Sequence, residues 1–316
     1  MALDDDAARV LELVRLSGRP PFEAVSPIEA RALFLGGREV FSPEPQPVAE
    51  TRDLTITGPH GQSLALRLYR ATGSTPDREL PGLVFFHGGG WVVGDLESHD
   101  TMCRHIANRA GCALIAVDYR LAPEHKFPAA VEDCLTATEW LAENGNQLRI
   151  DRKRLAVGGD SAGGNLAAVV SLIARDRGTP KLSAQLLFYP ALDFGMKQAS
   201  HQRFAEGHLL TEATMRWFAE AYLRSPEDIG DWRVSPLRAA DLSGLPPAYV
   251  LTAGYDPLCD EGIAYAQRLR QSAVPVQHRH VADQIHGFLL MGKIVRAADP
   301  ALDDISTALQ GFFDRG

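Results

Sequence analysis

Gly159-Asp160-Ser161-Ala162-Gly163-Gly164 sets a serine between small residues, directly after the apolar run 154–159 (RLAVGG) and directly before the helical run 165–174 (NLAAVVSLIA). A serine hydroxyl is a weak nucleophile until a base removes its proton, so the chemistry on offer is attack on a carbonyl carbon through a covalent acyl intermediate. Strand, G-x-S-x-G and helix in that order describe a sharp turn that lifts the serine clear of the sheet. The hydroxyl then projects at a helix N-terminus, where the dipole favours developing negative charge. A glycine-rich turn of this kind can also hold a phosphate, but the strand before it and the helix after it favour Ser161 as a nucleophile.

A second segment supplies what such an attack needs. His87-Gly88-Gly89-Gly90-Trp91 follows the apolar run 83–86 (LVFF). The oxyanion of a tetrahedral intermediate is stabilised by N–H groups already aimed at it. Three glycines after a strand can turn several amides to one side, which assigns Gly88, Gly89 and Gly90 to an oxyanion hole completed by Ala162, the residue after the nucleophile. Ten histidines compete to be the base. His278 and His280 alternate within an apparent strand and read as structural, and His60 lies in a hairpin turn. His99 and His105 fall on the helix after the glycine loop, while His201 and His208 fall in a long insertion. His125 lies in a loop, and His87 braces the glycine turn. His286 remains, following the last strand in a loop expected at 282–285, on the same sheet edge as Ser161. The acid that holds the imidazole in place is assigned to Asp256, which follows the stretch 248–255 (AYVLTAGY); Asp260, Glu261 and Asp193 are its rivals.

These side chains need a frame. The segments 53–57 and 64–70 alternate in hydropathy around a Gly-Pro-His-Gly turn and predict an antiparallel hairpin. Apolar runs then recur at 83–86, 113–118, 154–159, 184–190, 248–253 and 274–281, separated by helix-period stretches. Continuous runs of this kind predict strands buried on both faces, hence a mainly parallel eight-stranded sheet flanked by helices. More than fifty residues separate the runs ending at 190 and beginning at 248, far more than a crossover requires. The excess, with its aromatic helix at 211–223, is expected to fold over the carboxyl edge of the sheet as a helical cap. Two N-terminal helices join it, at 5–16 and 26–35, the second with Ser26, Pro27 and Glu29 as a capping signature. The segments read as 1–50 N-terminal helices, 51–195 core, 196–235 cap insertion and 236–316 core.

Composition closes off other classes. The chain of 316 residues carries 32 basic and 40 acidic groups, a net charge of −8, with no long basic run. That balance argues against nucleic acid or an anionic membrane surface as a partner. The amino terminus is acidic where a secretory signal is basic, and no apolar stretch is long enough to span a bilayer. Four cysteines, Cys103, Cys112, Cys134 and Cys259, show neither a disulfide framework nor zinc spacing. A cytoplasmic protein without metal or organic cofactor is expected.

Beyond the two glycine motifs, the segments 118–130 (DYRLAPEHKFPAA), 189–193 (YPALD), 243–262 (SGLPPAYVLTAGYDPLCDEG) and 285–288 (IHGF) resemble hormone-sensitive-lipase-type carboxylesterases of the α/β-hydrolase superfamily. The order Ser161, Asp256, His286 is the α/β-hydrolase order. The resemblance implies Ser161 as nucleophile, Asp256 as acid, His286 as base, and an oxyanion hole from the Gly88–Gly90 amides with Ala162; Glu261 becomes a supporting residue. It further implies hydrolysis of short to medium acyl esters, with an amide, formamide or lactone hydrolase on the same triad as the alternative. A non-catalytic small-molecule receptor on this scaffold is the reading from another class, and the presence of His286 disfavours it. Relatives suggest a homodimer through the strand at 274–281. Gln284 departs from the small or methionine residue expected beside the histidine.

Overall fold

The computed structural model describes residues 2–315. Two helices open the chain, α1 (Asp5–Leu16) and α2 (Pro27–Phe41). Asp4 caps α1 by accepting from the N–H groups of Asp6 and Ala7. Ser26 and Glu29 form a reciprocal capping box with Pro27 in the first turn, which satisfies donors that a helix start leaves open. That second helix runs six residues past its expected end at Leu35, to Phe41, where Pro43, Pro45 and Pro47 follow.

Eight strands follow: β1 (Glu50–Thr57), β2 (Ser63–Arg70), β3 (Leu80–Phe86), β4 (Ala113–Asp118), β5 (Ile150–Asp160), β6 (Ala184–Phe188), β7 (Ala248–Tyr255) and β8 (Val276–Ile285). They form one sheet in the order β1-β2-β4-β3-β5-β6-β7-β8. The expected hairpin is present, and β1–β2 and β2–β4 are antiparallel while every other pairing is parallel. The sheet is therefore mixed at one end. The crossovers carry α3 (Asp100–Ala110), α4 (Ala129–Asn144), α5 (Ala162–Arg177) and α8 (Cys259–Gln271), and α9 (Ala298–Phe313) closes the chain. Between β6 and β7 lie α6 (Ala199–Arg203) and α7 (Glu212–Tyr222).

Side chains alternate across the pleat, so neighbouring residues of one strand enter different cores. Val84 and Phe86 of β3 pack with Ile115, Val117 and Val157 on one face. Leu83 and Phe85 pack with Leu114, Ala156 and the α9 residues Leu302 and Ile305 on the other. Burial on both faces is what the uninterrupted apolar runs require.

One boundary is corrected. Residues 282–285, expected as a loop, belong to β8, which pairs Ile285 with Tyr255 after a register shift. His286 thus follows directly from a strand end, and that strand fixes its backbone.

The chain turns back at β3, with β4 on one side and β5 on the other. Ligands in such sheets bind in the crevice outside the strand ends at the reversal. Phe86 and Gly159 are register partners there, so the glycine loop after β3 and the serine turn after β5 start side by side. A Cβ on Gly163 would collide with the carbonyl oxygen of Phe86 and the backbone of His87. Gly163→Ala is expected to lower unfolding stability by about 1–3 kcal/mol, the usual cost of overpacking. An unchanged denaturant midpoint would refute that close approach.

Candidate active site

Ser161 links β5 to α5 with φ 56° and ψ −117°, a region that costs a non-glycine residue about 1–3 kcal/mol. The surroundings hold it there. Its N–H donates to the Phe188 carbonyl at 2.8 Å, and its own carbonyl accepts from Ala191 at 3.2 Å and Asn165 at 3.1 Å. Glycine at 159 lets the turn pass the Phe86 carbonyl, which a Cβ would strike.

The Ser161 hydroxyl lies 2.9 Å from His286 Nε2. On the other side of that ring, Nδ1 lies 2.8 Å from Asp256 Oδ2. Asp256 is fully buried, and its second oxygen accepts from the Leu258 N–H at 2.8 Å. An ionised carboxylate only accepts, so Nδ1 carries the proton and Nε2 is left to accept from the serine. Tyr189 presents an edge contact to the imidazole, with ring centres 4.9 Å apart. Three residues far apart in sequence are brought into one hydrogen-bonded line.

The competing side chains are engaged elsewhere. Asp260 accepts from the Ser200 N–H, and Asp193 pairs with Arg238. Glu261 accepts from the N–H groups of Leu192 at 2.7 Å and Asp193 at 3.2 Å. His278 and His280 share the Thr252 hydroxyl, and His60 meets Glu132. The four cysteines are free and buried; burial pushes the Cys112 and Cys259 thiols up to about 12, which makes them poor nucleophiles.

The glycine loop differs from expectation at one position. The Gly88 N–H donates to Asp160 Oδ1 at 2.9 Å, so it is not free to meet an oxyanion, and Gly88 is withdrawn from that set. Gly89 and Gly90 have φ of 115° and 57°, and among the described residues their N–H groups have no protein acceptor. A Cβ on Gly90 would enter the Phe218 ring. Ala162 is the first residue of α5, where a helix leaves its N–H unpaired. Gly89, Gly90 and Ala162 are the donors available beside Ser161.

Two residues that the sequence reading left out stand behind this loop. Asp160 was visible only as part of the serine motif, and His99 only as one histidine on a helix. Asp160, 2% exposed, and His99, 1% exposed, lie 3.3 Å apart, Oδ1 to Nε2. His87 Nδ1 lies 2.7 Å from the Gly88 carbonyl, with its ring stacked on Tyr119 at 4.2 Å, so it braces the turn.

Ser161 opens onto two spaces. The larger, about 690 Å³, is walled by Val10, Val14, Phe34 and Phe41 of α1 and α2, by Leu209 and Leu210, and by His286. The smaller, about 50 Å³, lies among Trp91, Phe194, Met215, Phe218 and Glu261. Among the described residues no group of three or more His, Cys, Asp or Glu side chains is arranged to hold a metal ion.

The chain is similar to known hydrolases. Residues 83–290 match the family model of the alpha/beta hydrolase fold. An ethyl acetate hydrolase of Pseudomonas putida is 40% identical over 98% of this chain and 99% of its own length. A carboxylic ester hydrolase of Mycobacterium tuberculosis is 42% identical over 86% of this chain and 73% of its own. An ester hydrolase from the metagenome of Lake Arreo, solved with a bipyridine phosphonate derivative, superposes with a TM-score of 0.95 at 40% identity, covering 99% of each chain.

Glu261 and His201 form a buried pair beside the smaller space, 3.5 Å apart. Burial pushes the Glu261 carboxyl up to about 7, against the His201 hydrogen bond and charge and the Leu192 N–H, which act downward. Burial acts downward on the His201 imidazole, but the Glu261 hydrogen bond and charge outweigh it and the net shift is upward. Both groups therefore hold more protons in the folded chain than in the unfolded one. Their contribution to stability is present at acid pH and is lost as pH rises from the ordinary carboxylate value of 4.5 through about 7 and past the raised His201 value. The stability of the wild type minus that of His201→Gln/Glu261→Gln should fall across this window; a flat difference in urea titrations would exclude the pair as its source.

Proposed function

The chain belongs to the hormone-sensitive-lipase-type family of α/β hydrolases, and from that membership we propose that it hydrolyses carboxylic esters with short to medium acyl groups through an acyl-enzyme at Ser161. One observation carries the residue roles: the unbroken line Asp256–His286–Ser161, at 2.8 Å and 2.9 Å, ends in a cavity beside unpaired amides.

His286 Nε2 takes the proton of the Ser161 hydroxyl as Oγ bonds to the ester carbonyl carbon. The carbonyl oxygen gains the negative charge and is met by the N–H groups of Gly89, Gly90 and Ala162. Asp256 holds the Nδ1 proton and stabilises the imidazolium. Collapse of the intermediate breaks the bond to the alcohol oxygen, which leaves with the proton from His286. Water then repeats the cycle on the acyl-enzyme: His286 takes one proton, the carboxylic acid departs and the serine hydroxyl is restored.

An ester presents two substituents, and Ser161 faces two unequal spaces. The smaller space takes the shorter substituent and the larger apolar cavity takes the longer. The cavity walls come from α1, α2 and the segment between β6 and β7, which together act as a cap. Four free cysteines, and no helix among the described residues long and apolar enough to cross a membrane, support a cytoplasmic setting. The unpaired outer edge of β8 is the surface for a homodimer.

Hydrolysis of p-nitrophenyl acetate, butyrate, octanoate and dodecanoate by wild type and Ser161→Ala tests the proposal. The wild type should favour the shorter chains, and the variant should lose at least ~10⁴-fold in kcat. Activity that persists in Ser161→Ala would remove Ser161 as nucleophile. Turnover of the matching anilides but not of the esters would move the assignment to an amidase.

A further inference from the structure

The wall of the large cavity is mostly apolar, and nearly all of its charged groups are engaged by the protein. Glu12 and Arg15 pair with one another at 2.6 Å, Arg38 meets Glu97 and Asp100, and Asp160 accepts the Gly88 N–H. Arg19 lines the same space and differs from them. Its backbone N–H donates to Ser17 Oγ at 3.3 Å, but among the described residues its guanidinium meets no carboxylate and no other acceptor.

An arginine without an acceptor is ordinary where water bathes it. Arg19 is half-buried, and burial alone pulls its guanidinium down from the ordinary value. Arg70 shows how the fold treats another cation held from water: its donors go to the carbonyls of Leu148 at 2.8 Å and Arg78 at 2.6 Å. A charge withdrawn from water without such compensation costs stability. The chain nevertheless fixes Arg19 in this place. Gly18 turns the backbone with φ 63°, and Pro20 and Pro21 lock their own φ and keep the residue before them extended. Pro20, Pro21 and Phe22 line the cavity beside it. A segment with so little freedom presents the guanidinium at a small cost in ordering.

We propose that Arg19 is a specificity-determining residue that binds a carboxylate at the far end of the substrate's longer substituent, so that the chain accepts esters carrying an ω-carboxylate. The inference rests on the esterase reading and names a class of substrate within it. A guanidinium presents paired N–H donors that match the two oxygens of a carboxylate. A row of rings connects the two ends of the cavity. Phe218 packs where Gly90 lacks a Cβ, Phe22 lies 6.2 Å from Phe218, and Arg19 precedes Phe22 by three residues. Such a wall suits a methylene chain between carboxylate and ester, with the few polar groups fixing orientation. The carboxylate can belong to the acyl side, as in a monoester of a dicarboxylic acid, or to the alcohol side, as in an acylated ω-hydroxy acid. Arg19 meets the same chemistry in both.

The test measures kcat/KM for wild type, Arg19→Gln and Arg19→Lys on two series. One sets monomethyl adipate, suberate and sebacate against methyl hexanoate, octanoate and decanoate; the other sets ω-acetoxy acids against alkyl acetates of the same lengths. For the best-fitting length, the ratio of charged to neutral ester should be about 10-fold higher in wild type than in Arg19→Gln, the scale of a charge-assisted hydrogen bond at a half-exposed site. The difference should lie in KM with kcat kept, because the contact is equally strong in ground and transition state. Arg19→Lys keeps the charge without the fork and should fall between the two. Added salt should lower the wild-type ratio towards that of Arg19→Gln. A folding defect affects both esters alike and cancels in the ratio. A ratio that Arg19→Gln leaves unchanged in both series, or charged esters that the wild type does not turn over at any length, would overturn the proposal while leaving the esterase reading in place. A wild type that hydrolyses neither kind of ester would overturn both.

Discussion

The carboxyl ends of β3 and β5 meet so closely that a single Cβ at Gly159 or Gly163 would run into the Phe86 carbonyl oxygen, and one at Gly88 would run into the Asp160 carboxylate. This contact of backbone on backbone governs the rest of the site. Side chains of ordinary size between the two strand ends would separate the serine turn from the loop that supplies amides. Phe86 and Gly159 are adjacent in the sheet register, so the distance between nucleophile and amides is set by strand spacing, which varies little. The strain at Ser161 is sustained because the hydrogen bonds to Phe188, Ala191 and Asn165 leave its backbone no alternative.

Asp256 and His286 reach the same edge by a different route. Each stands one residue beyond a strand, β7 and β8, which are paired through Tyr255 and Ile285. The hydrogen bond between them is therefore a consequence of register and not of a flexible loop. Extending β8 to Ile285 moves the histidine from an assumed loop onto the rigid sheet, the better support for a group that must stay within hydrogen-bond reach of its partners.

What could be read from the sequence follows from which interactions are local. The serine turn, the glycine loop and the capping box of α2 are each written in consecutive residues, and the strands announce themselves because both faces of the sheet are buried. Ser161 and Asp256 could be singled out because each closely follows an apolar run, and His286 because the other histidines fell on helices, strands or other loops. The fate of the Gly88 N–H could not, since it depends on Asp160 lying opposite it across two strands, 72 residues away in sequence. His99 was hidden for the same reason: nothing around Ser98-His99-Asp100 says that its ring turns inward beneath a loop 11 residues earlier. The overrun of α2 past Leu35 reflects tertiary support, because Phe41 lines the main cavity and its carbonyl accepts from Lys293 at 3.0 Å.

The division of labour between frame and walls accounts for where selectivity resides. The reacting groups stand on strand ends or on the first residues after them, and those strands are buried in two cores. The large cavity is walled instead by α1, α2 and the stretch around Leu209 and Leu210. The large apolar side chains that remain most exposed, Leu13, Leu16, Ile28, Leu35 and Val40, all belong to α1 and α2. Those two helices are held by a few specific ties, among them Arg31 to the carbonyls of Val92 and Ala122 and to Glu124, and Asp4 N–H to the Asp283 carbonyl. Residues that contribute little to the sheet cores can change without disturbing the triad, so the walls can alter what is accepted while the strand ends keep the chemistry constant. Gly90 joins the two parts: its missing side chain leaves room for Phe218 of α7, which lines both spaces and fixes how far the wall can approach the serine.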